Sequence, residues 1–370
     1  MRAIIVQPVE TLVAGISLRE RCEQMLAEVG IVKISLIRED MAEIPLDDDA
    51  LVLCGNVLLD PRIVRALVSY TEGNVMAIDR RTGGAWVGIA RLERKVLERF
   101  QYRLVADPVR TMAILRDECT LLNIQTLDDY VAKLRRHVPI YWMEINSRVD
   151  VRRAERILVE SSEKDPSDFM AILHRPIENW AVLRLARTGI TPNQVTVLVN
   201  VFAWTVTALF LTGNLLAGSL LSFLVGLLDG FDGKLARLKG MVTRVGALEH
   251  SFDLLFEFSW ILALGYYLSQ SEGIVPLVLS SVIMMLVAFY RSVYERYGQA
   301  AGVSLDVAGR CENLFRRIAG RRNLYNLHIL GWVLMSYPNR ALWSICVHAG
   351  LTALVYSAQA LRHLRRLNKS

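Results

Sequence analysis

From Ile190 onward the sequence is dominated by apolar runs that approach or exceed the ~20 residues an α-helix needs to cross a bilayer. Six spans can be drawn, roughly over 194–213, 215–236, 246–268, 274–294, 324–338 and 340–361, the fifth short and interrupted by Pro338. In a bilayer every backbone N–H and C=O must be satisfied within the chain, so such runs are expected as helices. Up to about Ser162 apolar and charged residues alternate instead, as in a water-soluble domain. This change of composition marks the domain boundary.

Lys and Arg settle the expected orientation. The connections at 212–214 and 269–273 carry none, and the 336–340 turn carries only Arg340. Arg237, Lys239 and Arg244 lie on the other side, as do Arg296, Arg310, Arg316, Arg317, Arg321 and Arg322, and finally Arg362, Arg365, Arg366 and Lys369. The positive-inside bias therefore predicts a multi-pass protein of the cell membrane with a cytoplasmic N-terminal domain and C-terminal tail. The same bias explains the net charge of +6. Basic residues are not gathered with aromatics on one patch, so no nucleic-acid partner is expected. The five cysteines are scattered without CxxC spacing, which argues against a disulfide framework or a structural zinc site. No signal peptide is expected in "MRAIIVQPVETLV".

Ahead of the first span, "PIENWAVLRLARTGI" (176–190) has apolar residues at helical spacing with Arg184 and Arg187 between them. It reads as an amphipathic helix on the cytoplasmic leaflet, with Trp180 suited to the headgroup region. "ITPNQVT" then reads as a turn into the first span, Thr191 capping and Pro192 at an early helical position.

Five carboxylates crowd the cytoplasmic edge of the second and third spans: Asp229, Asp232, Glu249, Asp253 and Glu257. Asp229 and Asp232 are three apart, and Glu249, Asp253 and Glu257 are spaced by four, so each set shares a helix face. Antiparallel packing would bring them to one depth, where ionised carboxylates are costly without a compensating cation. Few basic side chains lie inside the spans, so a divalent cation is the economical partner. Oxygen-only ligation suits Mg²⁺, Mn²⁺ or Ca²⁺ rather than zinc. Gly233 and Ala236 favour close approach of a ligand, and Arg237 is able to hold a phosphate.

"DGFDGKLAR", with Gly246 eight residues after the arginine, resembles the signature of the CDP-alcohol phosphotransferase family: D-x-x-D-G-x-x-A-R, eight residues, G, three residues, D, three residues, D. "ITPNQVT" ahead of the first span is also typical of that family. The resemblance implies a six-span, metal-dependent membrane enzyme that transfers a substituted phosphate from a CDP-linked donor to an alcohol and releases CMP. It implies metal ligation by Asp229, Asp232, Glu249 and Asp253, with Mg²⁺ or Mn²⁺ as cofactor, and contact with the CDP moiety at Gly233, Ala236, Arg237 and Gly246. The second half of the signature departs: an ungapped count puts the third and fourth acids on His250 and Leu254, while Glu249 and Asp253 come one residue early. One residue is ~100° of rotation and ~1.5 Å along a helix, a shift that a displaced helix start and the longer Glu249 side chain can absorb. The role of base toward the acceptor hydroxyl then passes to Asp253. His250 is an alternative ligand or proton donor, and a structural histidine is the plainer reading.

In the soluble half, "MRAIIVQP", "VKISLI" and "ALVLCG" read as strands, and "GISLRERCEQMLAEVGI" and "DPRIVRALVSY" as helices. This predicts an α/β domain with a mainly parallel sheet. It resembles the sugar-nucleotidyltransferase fold, as in bifunctional inositol-phosphate cytidylyltransferase/di-inositol-phosphate-phosphate synthases, through "DDALVLCGNVLLDPRIVRALV", "WVGIARL" and "WMEINSRVDVRRAERIL". Its catalytic features are absent: there is no glycine before Gly15 to form a phosphate loop, Asn56 stands at one metal position, and Glu144 and Asn146 stand at the second acid pair. A structural, dimerising or regulatory role is expected rather than nucleotidyl transfer.

The expected architecture is thus multidomain. An α/β nucleotidyltransferase-like cytoplasmic domain over 1–162 is followed by a linker and juxtamembrane helix over 163–193 and an all-α six-helix transmembrane domain over 194–370. The donor is expected to be CDP-diacylglycerol or a CDP-polyol, the acceptor an alcohol such as a polyol phosphate, and the assembly a homodimer in membrane lipid. The alternative is a scaffold that keeps the fold without turnover.

Overall fold

A computed structural model describes residues 1–38, 48–132, 134–164, 169–241 and 249–367, with the side chains of 169–171, 249 and 250 outside the description. The soluble half contains β1 (Arg2–Val6), β2 (Leu12–Val13), β3 (Ile16–Ser17), α1 (Leu18–Glu28), β4 (Ile34–Ile37), β5 (Ala50–Cys54), β6 (Val57–Leu59) and α2 (Pro61–Val68). After these come β7 (Val75–Asp79), β8 (Ala85–Leu92), α3 (Arg94–Ala106), α4 (Pro108–Ile114), β9 (Thr120–Asn123) and α5 (Arg148–Ser162). Helix starts follow their chemistry. Ser17 and Glu20 form a reciprocal capping box on α1, and Asp60 caps α2 ahead of Pro61, each satisfying N–H groups that the first turn leaves open.

The sheet order is β4-β1-β5-β8-β7-β9. β1 pairs parallel with β4 and β5, and β7 pairs parallel with β9, but β8 runs antiparallel to both β5 and β7. The sheet is therefore mixed, where the strand and helix alternation predicts a mainly parallel one. The cause is local: β7 and β8 are joined by the short turn 80–84, whose Gly83 and Gly84 have positive φ, and a connection that short forces antiparallel pairing. Every residue of β5 is buried, and separate apolar clusters lie on the two faces of the sheet.

The second half is helical: α6 (Phe169–Ala186), α7 (Pro192–Leu211), α8 (Leu215–Leu238), α9 (Glu249–Glu272), α10 (Val275–Ala301), α11 (Arg310–Ile318), α12 (Arg322–Leu334) and α13 (Asn339–Leu367). Thr191 caps α7 with Gln194 completing the box and Pro192 in the first turn, as the sequence predicts. Among the described residues α7, α8, α10 and α13 are long and apolar enough to cross a membrane. α9 lies where the third span is expected but carries several acids, and α12, at 13 residues, is shorter than the expected fifth span. On α7 the residues Val195, Val199, Ala203, Val206 and Phe210 are buried, at the 3–4 spacing of one helix face. Val197, Leu198, Val201 and Trp204 are exposed, as lipid-facing residues are. α7 packs on α8 and α9, α10 on α9 and α13, and α12 on α8 and α13.

The two halves share one core. Val13, Ala14, Leu18, Ala154 and Leu158 of the soluble half belong to the same buried cluster as Val182, Ala186 and Val195 of the helical half. Glu155 of α5 ties them further, accepting from the Ala14 N–H at 3.3 Å and from Arg187 at 2.6 and 3.2 Å. Gly15, with φ +79°, presses against α6, where a Cβ would stand 1.9 Å from the Ala186 carbonyl oxygen. Gly15→Ala is therefore expected to destabilise the protein by about 2–4 kcal/mol, combining a disfavoured backbone conformation with overpacking. Thermal unfolding of the purified protein checks this, and an unchanged Tm contradicts it.

Candidate active site

α8 carries most of the signature, and its last three turns build the site. Asp229 and Asp232 lie on one face. The Asp229 Oδ2 accepts from Arg322 Nη2 at 2.6 Å, and the other arm of the same guanidinium, Nη1, reaches Asp253 Oδ1 at 3.4 Å. Arg322 starts α12 and Asp253 lies in the first turns of α9, so one guanidinium joins three helices. It also lies over the Trp260 ring, 5.9 Å from its centroid. The three side chains are largely covered, Arg322 13% and each aspartate 24% exposed, so the charges meet with little water between them.

Asp232 is buried, and its Oδ2 accepts from the Thr196 hydroxyl at 2.6 Å. Thr196 is the last residue of the "ITPNQVT" entry to α7, so the capped start of that helix delivers a hydroxyl to the signature. Glu257, one helical turn beyond Asp253, is paired with Arg291 of α10. Both acids of the α9 stripe whose side chains are described are thus met by arginines from other helices. The sequence argument that basic side chains are scarce beside the acids is corrected here: Arg291 and Arg322 belong to later spans, but packing brings them to the carboxylates. Nothing local to "DGFDGKLAR" signals either contact.

The rest of the signature faces the soluble half. Lys234 is buried, with Nζ donating to Asn179 Oδ1 at 2.6 Å and Glu178 Oε2 at 3.3 Å on α6. Gly230 makes that approach possible, since a Cβ there would lie 2.8 Å from Glu178 Oε1. Arg237 donates Nε to the Ser162 carbonyl at 2.7 Å. Gly233 lies beside Arg237, where a Cβ would stand 3.3 Å from Nη1; Ala236 lies on the same last turns of α8. Gly246, and the side chains of Glu249 and His250, lie outside the described residues. Among those described, no group of three or more Asp, Glu, His or Cys side chains is close enough to hold a metal ion. The donor chemistry still fits a hard cation: Asp229 and Asp253 converge on one positive charge, the Arg322 guanidinium, and oxygen donors of this kind are what Mg²⁺ and Mn²⁺ take.

The soluble domain has its own cavity of about 210 Å³ at the carboxyl ends of β1 and β5, lined by Gln7, Cys54, Asn56, Trp86 and Glu144 among others. Asn56 donates to Asn146 Oδ1 at 3.0 Å, a neutral amide pair where the nucleotidyltransferase resemblance places acids. The turn after β1 closes on Gly55, where a Cβ would stand 2.4 Å from the Gln7 carbonyl oxygen. That space is filled by backbone.

Comparison with known proteins supports the reading of α8. Residues 189–336 match the CDP-alcohol phosphatidyltransferase family. A phosphatidylinositol phosphate synthase of Mycobacteroides abscessus is 31% identical over 149 residues, which cover 39% of this chain and 67% of that protein. A bifunctional IPC transferase and DIPP synthase of Aquifex aeolicus is 27% identical over 202 residues, 52% of this chain and 45% of that protein. The chain thus spans less than half the length of that bifunctional relative. Among solved structures, Mycobacterium tuberculosis phosphatidylinositol phosphate synthase with CDP-DAG bound is similar at 20% identity and a TM-score of 0.39, covering 51% of this chain and 94% of that one. The same enzyme in complex with manganese and citrate gives 20% identity and a TM-score of 0.39, over 50% and 88% of the respective chains. With the signature on α8, the helices long enough to span a bilayer, the family match and the identity to the Mycobacteroides relative, the chain is a multi-pass membrane protein that belongs to the CDP-alcohol phosphatidyltransferase family.

Proposed function

We propose that this enzyme transfers a phosphatidyl group from CDP-diacylglycerol to a polyol phosphate at the cytoplasmic face of the cell membrane, both termini being cytoplasmic. The observation that carries the reading is the packing that brings Asp253 of α9 and Asp229 of α8 to one positive charge, the Arg322 guanidinium, at the edge of the apolar helices. The identity to a phosphatidylinositol phosphate synthase supports a phosphatidyl donor, and a site at the edge of apolar helices suits a lipid substrate. Asp229, Asp232, Glu249 and Asp253 would hold a divalent ion, Mg²⁺ or Mn²⁺. When bound, such an ion supplies positive charge against the phosphate oxygens of the donor.

The chain's own residues do the rest. Gly233, Ala236, Arg237 and Gly246 receive the CDP moiety, with small residues giving the nucleotide room and the guanidinium facing its phosphates. Asp253 accepts the proton of the acceptor hydroxyl as that oxygen attacks the phosphatidyl phosphorus. A new P–O bond forms to the acceptor, the P–O bond to the nucleotide breaks, and CMP leaves with the electron pair. Of the arginines near the cytoplasmic ends of later spans, Arg296 and Arg321 are the candidates to hold an acceptor phosphate, since Arg291 and Arg322 are engaged by Glu257 and by Asp229 and Asp253.

A base role for Asp253 makes a definite prediction. Asp253→Asn should lower kcat by about 10²–10⁴-fold with the donor KM little changed, measured as CMP release with CDP-diacylglycerol and a panel of polyol phosphates. Undiminished turnover removes the base assignment. The second reading, a membrane scaffold without turnover, is favoured by one observation, the one-residue offset of Glu249 and Asp253 from the family signature.

A further inference from the structure

Two of the signature acids, Asp229 and Asp232, ride on α8, and the last turns of α8 are held from outside the membrane helices. Arg21, on α1 of the soluble half, donates Nη1 to the Leu238 carbonyl at 2.9 Å, while its Nε and Nη2 bind the Val13 carbonyl at 3.2 and 2.6 Å. Leu238 is the final residue of α8, so Arg21 satisfies a carbonyl that the helix end leaves without an intrahelical donor. Its charge also sits where the helix dipole favours a cation. One residue back, Arg237 is tied to the Ser162 carbonyl at the end of α5.

Further contacts continue along the same stretch. Lys239 Nζ donates to the Thr188 and Ile190 carbonyls, both at 2.8 Å. At Gly240, with φ +60°, a Cβ would lie 2.4 Å from Gln24 Oε1 on α1. Glu163, next after Ser162, is buried and locked by Arg175 and by Asn179 at 2.7 Å. Asn179 is the residue that also holds Lys234. Positions 234, 237, 238, 239 and 240 are therefore each gripped by α1, the end of α5, or α6 and the turn that follows it, over a core common to both halves. A domain merely tethered to the membrane helices has no need of such contacts.

We propose that the soluble domain is a positioning element of the transferase. Arg21 and the Ser162–Glu163 turn fix the direction of the last turn of α8, and with it the guanidinium of Arg237. A domain stripped of phosphate loop and metal acids retains this role, because the contacts come from α1 and α5 and not from its sheet-end cavity. The inference rests on the reading that Arg237 faces the CDP-linked donor. Arg21 and Glu163 are positioning residues, since neither is placed against substrate.

The test uses the full-length protein in lipid nanodiscs, with two readouts. Arg21→Ala and Glu163→Ala should speed amide hydrogen exchange over the last two turns of α8 by about 10-fold or more, because the local opening free energy falls. The same variants should raise the KM for CDP-diacylglycerol about 5–20-fold and leave the acceptor KM within about 2-fold. Arg21→Lys, which keeps the charge and a single donor nitrogen, should recover most of both effects. Should Arg21→Ala fail to fold, Arg21→Lys and Glu163→Gln must show graded changes in the same two readouts. Folded variants with wild-type exchange, or with equal losses toward donor and acceptor, overturn the inference. A wild type that releases no CMP sinks the transferase reading instead, and the exchange experiment still decides whether the soluble domain holds α8.

Discussion

Asp229→Asn is expected to cut CMP release by at least about 10³-fold, the scale of losing a charge that stabilises phosphoryl transfer. The substitution keeps the side chain's volume and one acceptor oxygen, so the hydrogen bond from Arg322 Nη2, 2.6 Å in the native protein, has a partner to go to. What disappears is one negative charge of the set proposed to hold a divalent ion beside the donor phosphates. Fold and function should therefore separate in size: the melting temperature falls modestly, because Arg322 keeps Asp253 as its counter-charge, while turnover collapses. Asp232→Asn should behave alike in turnover, since its acceptor toward the Thr196 hydroxyl also survives. Activity within about 3-fold of wild type in either variant would place the metal elsewhere.

Arg322→Ala should destabilise the protein as well as change its response to metal. Removing one member of a buried pair strands the other charge, at a cost of about 3–5 kcal/mol when burial is complete. Asp229 and Asp253 keep about a quarter of their exposure, so about 1–3 kcal/mol is expected here once solvent screening is allowed for. The sign of the metal response is the informative part. With the guanidinium gone, Asp229 and Asp253 repel each other, and a divalent ion that binds the folded site stabilises it through mass action. Millimolar Mg²⁺ should raise the Tm of Arg322→Ala more than that of the wild type, where the ion competes with the guanidinium. Equal Mg²⁺ responses in the two proteins would show that Arg322 and the ion do not share the site.

The parts of this molecule that were legible in the sequence are those with short-range causes. "DGFDGKLAR" reads as a face of acids because i and i+3 on a helix always share a side, and α8 runs through all of it. The Thr191 cap and Pro192 announce the start of α7 through backbone chemistry alone. The contacts that finish the site come from far along the chain: Arg322 is 93 residues from Asp229, and Arg291 is 34 from Glu257. No periodicity encodes such pairings, so a divalent ion looked like the economical counter-charge when arginines were already supplied by packing. The mixed sheet has no sequence signal for a related reason, since the antiparallel direction of β8 depends on a five-residue turn and not on the apolar pattern of the strand. The grip of α1 on the end of α8 had no sequence signal either, because Arg21 lies in an ordinary amphipathic helix 217 residues from Leu238. Glu249 and Asp253, one step early against the family signature, lie at the start of α9, and of the two only the Asp253 side chain is described, in contact with Arg322.

The central claim, that this fold turns over a CDP-linked lipid, is tested most directly by CMP release. Purified full-length protein is incubated with CDP-diacylglycerol and a panel of polyol phosphates, with Mg²⁺ or with excess EDTA. The expected result is CMP formed only when both an acceptor and Mg²⁺ are present, in step with a new phosphatidyl product. CMP release that ignores the chelator, or none with any acceptor, would contradict it.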